Sequence, residues 1–152
     1  MISENEILAN GPGGADRGAL ILALQRAVHV TLHALSARLA ALELTASEIN
    51  SLAQLADGRA RPVGELAAQT GTKPTTLTSL LDRLVRRGYL VRELDQQDRR
   101  SFLVSLTDQG RLVAQQARAA MGALEAERLG AISGAELAGF RAVVTALSED
   151  SR

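Results

Sequence analysis

His29 and His33 stand four residues apart, the spacing that stacks two imidazoles on one helix face and could offer a metal ion two nitrogen ligands. A third ligand is missing, because the chain has no cysteine and no acidic side chain falls nearby on the same stripe. Metal binding is therefore not expected, and an enzyme built on these histidines would need stoichiometric metal to support it. The Gly-rich GPGG at 11–14 follows no strand and opens no phosphate loop, and no Ser-His-Asp or paired-carboxylate constellation has supporting context. No catalytic residue or cofactor is nominated.

The second chemistry on offer is polyanion binding. Formal net charge is zero over 152 residues, but it is unevenly spread. Between Arg59 and Arg100 nine basic residues face five acidic ones, a local balance of +4 that the flanks cancel. A basic centre between acidic flanks suggests a focused phosphate-binding surface. The residues best suited to it are short hydroxyl side chains at 75–79 and two arginines at 99 and 100.

The elements that must position them follow from periodicity. Leu20, Leu24, Val28, Leu32, Leu35, Leu39 and Leu42 recur at three- and four-residue steps and predict a helix over 16–42, about 40 Å long. That exceeds what a small lobe can cover, so the helix should also meet a partner chain. Thr45 and Glu48 form a capping box for a second helix ending at Gly58. Pro62 suits the first turn of a third helix, 62–70, and a fourth, 74–87, buries Leu77, Leu80, Leu81 and Leu84 before Gly88. The period then changes: 89–94 and 101–106 read as the strands of a hairpin, the only β structure expected. Thr107 caps a fifth helix to about Leu129, and SGAE at 133–136 opens a sixth whose Leu137, Phe140, Val143, Val144 and Leu147 form an apolar stripe. Residues 1–15 read as a disordered tail. This N-terminal stretch lacks a basic start and an apolar run, and no segment approaches about 20 uninterrupted apolar residues, so a cytoplasmic, soluble protein is expected.

VGELAAQTGTKPTTLTSLLDRL, residues 63–84, has the spacing of a helix-turn-helix. Ala67 is small where two helices cross, Gly71 suits the left-handed turn, and Leu77 and Leu80 anchor the second helix. Opposite its leucines lie Thr75, Ser79, Asp82 and Arg86, flanked by Thr76, Thr78 and Arg83. With Lys73 these form a short-polar face that can approach phosphates and base edges, while Asp82 should pair with a nearby arginine. The hexapeptide DQQDRR at 95–100 then places Arg99 and Arg100 on a projecting loop able to enter a minor groove. The nominated DNA-contacting set is thus Lys73, Thr75, Thr76, Thr78, Ser79, Arg83, Arg86, Arg99 and Arg100.

With these residues in place, the chain resembles the MarR family of regulators: Asp98, Arg100, Val104, Leu106 and Thr107 match its D-x-R-x-x-x-V-x-L-T signature, and LLDRLVRRGYL at 80–90 matches the end of its recognition helix. The likeness runs from about 18 to 148. It implies a mainly α fold with a small β-hairpin wing, a winged helix-turn-helix lobe over 43–106, and dimerisation helices over 16–42 and 107–148 that use Leu20, Leu24, Leu137, Phe140, Val143, Val144 and Leu147. It further implies a homodimer on a pseudo-palindromic double-stranded operator, a repressor released by a small-molecule effector, and a pocket near His33 for that effector. Ser79 stands where many members carry arginine and Gln96 where proline is common, which predicts an altered base preference and a more flexible wing. The competing class is a winged-helix interaction scaffold without DNA affinity.

Overall fold

The structure is a computed structural model that describes residues 14–149, with side chains from residue 19. Helix α1 spans Gly14–Arg38, a 3-10 turn Ala40–Leu42, α2 Ala46–Gln54, β1 Arg61–Pro62, α3 Val63–Thr70, α4 Pro74–Arg86, β2 Leu90–Leu94, β3 Phe102–Leu106, α5 Asp108–Leu129 and α6 Gly134–Ser148. The architecture is mainly α with a β wing, as expected. Residues 1–13 of the expected tail lie outside the described residues, and α1 begins at Gly14, two residues before the expected start.

The second helix ends at Gln54, four residues before Gly58, and two further features differ from the periodic reading. The first helix stops at Arg38 instead of Leu42, because Leu39 is buried and the chain turns through Glu43 in a left-handed conformation (φ 51°). The Arg87 guanidinium holds that turn, donating from Nη1 to the Glu43 carbonyl at 2.7 Å and from Nη2 to that of Leu42 at 2.9 Å. The second difference is β1, which makes the sheet three-stranded in the order β1-β3-β2. Two residues carry no periodicity, and Pro62 is tolerated because β1 is an edge strand.

Leu52, Leu55, Leu66, Leu77, Leu81, Leu84, Leu90 and Val104 are almost wholly buried in one core that also takes Val113 and Ala114 of α5. A satellite cluster of Leu39, Ile49, Ala53 and Ala117 ties α1 and α2 to α5. Each expected cap is present: the Thr45 hydroxyl accepts from Glu48 N–H, that of Thr107 from Gly110 N–H, and that of Ser133 from Glu136 N–H.

By contrast α6 buries no residue fully, and Leu20, Leu22, Val28, Phe140, Val143 and Leu147 are exposed. Ala19–Arg38 is long and apolar enough to cross a membrane by length and mean hydropathy (1.3), although Gln25, Arg26, His29 and His33 interrupt it. Its apolar residues instead continue those of α6: Leu20, Leu24, Phe140, Val143, Val144 and Leu147 line one groove of about 290 Å3.

The start of α5 meets the end of the α4–β2 turn with almost no space. A Cβ on Gly110 would lie 1.9 Å from the Tyr89 carbonyl oxygen, which itself accepts from Thr107 N–H at 3.0 Å. Gly110→Ala should therefore cost about 2 kcal/mol or more in urea or thermal unfolding, since the added Cβ has no rotamer freedom and the atom it meets is backbone. Gly122→Ala, with nothing within 4 Å of its Cβ, is the control and should be neutral or stabilising by up to about 1 kcal/mol.

Candidate nucleic-acid interface

The helix-turn-helix forms from α3 and α4. Gly71 ends α3 at φ 63°, and its N–H and that of Thr72 return to the Ala68 and Ala67 carbonyls, turning the chain into α4. Pro74 opens α4 and no side chain caps it, so the N–H groups of Thr75 and Thr76 remain open at the positive end of the helix. Leu77, Leu80, Leu81 and Leu84 seat the other face in the core. Thr75, Thr76, Ser79 and Arg83, together with Thr45, Ser47 and Thr72, line a groove of about 570 Å3. Lys73 and Arg86 are exposed at the two ends of α4.

Thr78 lies at the margin of this face. It is partly buried, on the flank where it was expected, and its hydroxyl donates to the Pro74 carbonyl at 2.9 Å. Arg83 sits where expected but is engaged within the fold, its Nε donating to Glu48 Oε1 at 3.0 Å. Burial pushes the Glu48 carboxyl up, yet the hydrogen bonds from Thr45 and Arg83 outweigh it and hold the group below its ordinary value.

The wing is the β2–β3 hairpin, in register from Leu90↔Leu106 to Leu94↔Phe102. Two Asx turns close its tip: Asp95 Oδ1 accepts from Gln97 N–H at 2.8 Å, and Asp98 Oδ1 from Arg100 N–H at 3.0 Å. Asp95 N–H and the Ser101 carbonyl complete the closure at 3.0 Å. The tip thus has internal hydrogen bonds where a proline would have supplied stiffness. Arg99 and Arg100 project from it, exposed. Asp82 takes an arginine partner as expected, accepting from Arg92 Nη1 at 3.1 Å, while the Arg92 guanidinium lies 4.4 Å from the Phe102 ring centroid. This links α4 to the wing.

Not every arginine of the basic segment faces outward. Arg61 is buried and forks onto Asp57, donating from Nη1 to Oδ1 at 2.9 Å and from Nη2 to Oδ2 at 2.6 Å. Nothing in the periodicity marked this pair, although the i,i+4 spacing of Asp57 and Arg61 is a signal that could have done so. Among the described residues, Arg59, Lys73, Arg86, Arg99 and Arg100 take no ion-pair partner.

A cavity of about 320 Å3 lies between α1 and α2, lined by Val28, Thr31, Leu32, Leu35, Ser36, Ala46, Ser47, Ile49, Asn50 and Met121. His33 and His29 are exposed and line none of it; Leu35 is the α1 residue of that lining that is buried. Of the expected dimerisation residues, Leu137 lies apart from the α1–α6 groove, beside Leu129 and Phe140 against the end of α5.

A helix-turn-helix followed by an arginine-tipped hairpin, carried between long terminal helices, defines a winged helix-turn-helix protein. Residues 42–101 match the model of the MarR family. Over that segment the chain is similar to the MarR family. It is 27% identical to a MarR-family transcriptional regulator from Silicibacter pomeroyi, covering 90% of this chain and 92% of that one with a TM-score of 0.75. CouR from Rhodococcus jostii RHA1, solved bound to p-coumaroyl-CoA, shares the fold at 22% identity and TM-score 0.75, over 88% and 94% of the two chains. The HTH-type regulator YcgE of Bacillus subtilis is 36% identical over 64 residues, and the chain covers 42% of its length.

The Asp57–Arg61 fork makes a pH prediction. Arg61, then the N–H of Arg59, lower the Asp57 carboxyl from 3.8 to about 2. A depressed folded-state value contributes stability that is complete above about pH 4 and lost as pH falls through about 2. Carboxyl NMR titration should find Asp57 still ionised at pH 3, and Arg61→Met should move it up toward the ordinary range, the Arg59 N–H remaining as the residual cause of lowering.

Proposed function

We propose that this protein is a sequence-specific double-stranded DNA-binding transcriptional regulator, a homodimer that sits on a pseudo-palindromic operator and is released from it as a repressor by a small molecule. The observation that carries the reading is the shared exposure of two surfaces. The short-polar groove of α4 presents Thr75, Thr76 and Ser79, and the wing presents Arg99 and Arg100 beyond it. Small hydroxyls at an uncapped helix start admit close approach to base edges and phosphate, and arginines on a hairpin suit a narrow minor groove. Lys73 and Arg86 are assigned to the flanking phosphates. The protein acts by binding and not by catalysis, in the cytoplasm where its operator lies.

The lobe over 43–106 is the reader, and the helices over 16–42 and 107–148 are the frame, with the first turns of α5 lending Val113 and Ala114 to the lobe's core. The apolar faces of α1 and α6 support pairing with a second copy, which places two α4 helices about one turn of DNA apart. The α1–α2 cavity adjoins both frame and reader and is the effector site we assign in place of His33. An effector need only favour one lobe spacing by a few kcal/mol to release DNA.

Two measurements test this. Selection from a random duplex library should enrich one motif with two-fold symmetry, and replacing Arg99 and Arg100 by alanine should weaken binding to it by about 1–3 kcal/mol and flatten its salt dependence. Unchanged affinity and slope would remove the wing from the interface, and enrichment of no motif would favour the interaction scaffold. Sedimentation should find a dimer that Phe140→Asp converts to monomer, since Phe140 is 57% exposed within its own chain and its loss spares the lobe.

A further inference from the structure

Glu48 is among the few charged side chains in the fold that are buried (4% exposed), and neither DNA contact nor core packing accounts for it. It stands in the first turn of α2, where an ordinary capping box would leave its carboxylate in water. Here the two oxygens have separate duties. Oε2 accepts from the Thr45 N–H at 2.8 Å and from the Thr45 hydroxyl at 3.0 Å, which fixes the carboxylate against its own helix. Oε1 reaches across to α4 and accepts from Arg83 Nε at 3.0 Å, 35 residues away in sequence.

The Arg83 side chain is 49% exposed while its partner is 5% exposed, so the guanidinium is gripped at its inner edge and presents its outer one. Its Nη1 and Nη2 take no hydrogen-bond partner among the described residues, and the residue lines the same groove as Thr75, Thr76 and Ser79. A guanidinium held by Nε has its terminal N–H groups forked outward in a fixed plane, the geometry that pairs with O6 and N7 of guanine in the major groove. A lysine, or an arginine turning freely, would deliver charge without that plane.

We propose that Glu48 is a positioning residue for DNA sequence recognition, holding Arg83 so that it reads one guanine per half-site. The inference rests on the DNA-binding reading above. Only a carboxylate serves, because both oxygens must accept. An amide at 48 places an NH2 against either the Thr45 N–H or the Arg83 Nε–H, so Glu48→Gln forfeits one of the two contacts.

The test is selection from a random-sequence duplex library, run in parallel on the wild-type full chain, Glu48→Gln, Arg83→Lys and the double variant, with melting temperatures recorded for each. The wild type should enrich a motif with a symmetric guanine in each half, favoured over the other bases by about 5- to 150-fold. Arg83→Lys, which keeps a cation for the buried Glu48 carboxylate at a half-exposed position, should keep the salt dependence and lose most of that preference. Glu48→Gln should lose it too while the remaining positions of the motif persist, and adding it to Arg83→Lys should change nothing further. If the wild type enriches no motif, the DNA-binding reading itself fails. If it enriches a motif that Arg83→Lys leaves intact, or if folded Glu48→Gln weakens all sequences equally with the guanine preference retained, the positioning role is overturned while that reading stands. Should Glu48→Gln not fold, Glu48→Asp, whose shorter carboxylate cannot span both Thr45 and Arg83, takes its place, and a folded Glu48→Asp that retains the guanine preference overturns the positioning role.

Discussion

The Tyr89 carbonyl is the point on which the rest of the structure turns. It accepts from Thr107 N–H, and the backbone of Gly110 passes so close to it that no side chain fits between. The Thr107 hydroxyl meanwhile donates to the Gly88 carbonyl at 2.6 Å and accepts from Gly110 N–H at 3.0 Å. One threonine and one missing side chain thus bind three elements: the turn that ends α4, the last residue of the wing, and the first turn of α5. Because α5 is also the helix that carries the lobe's core into the frame, this contact relates the DNA-facing helix to the surface on which two copies would meet.

The arginines divide by the same logic of place. Arg61, Arg87 and Arg92 hold parts of the fold: a carboxylate fork, a pair of orphan carbonyls, and the seam between α4 and the wing. Arg83 is shared between fold and groove. The outward set is therefore smaller than the local charge balance suggests. Counting charge along the chain located the basic segment but could not divide it, since the division depends on carbonyls and carboxylates brought in from residues 42–57 and on Asp82 within the segment.

Local signals were legible. The caps at Thr45, Thr107 and Ser133, the leucine face of α4 and the turn at Gly71 each obey rules that operate within four or five residues, and each appears in the fold where its pattern lay. What escaped was non-local. Strand β1 exists only because β3 lies beside it, Glu48 is buried only because α4 folds over it, and Gly110 is required only by a carbonyl twenty-one residues earlier. His33 stands one helical step from Leu32, which lines the α1–α2 cavity while His33 does not. A polar residue near a suspected cavity is weak guidance unless its phase on the helix is checked against the buried stripe.

The two aspartates of the wing tip place negative charge on a loop whose arginines seek a polyanion. Their oxygens are engaged with backbone N–H groups of the loop itself, so the turn is shaped before any ligand arrives. A floppy basic loop would attract phosphate more strongly at long range and then lose conformational entropy on docking. This one gives up part of the attraction and keeps its entropy loss in folding. Its discrimination should therefore come from fit: a groove of the wrong width meets a hairpin that cannot spread to follow it, with two carboxylates close behind.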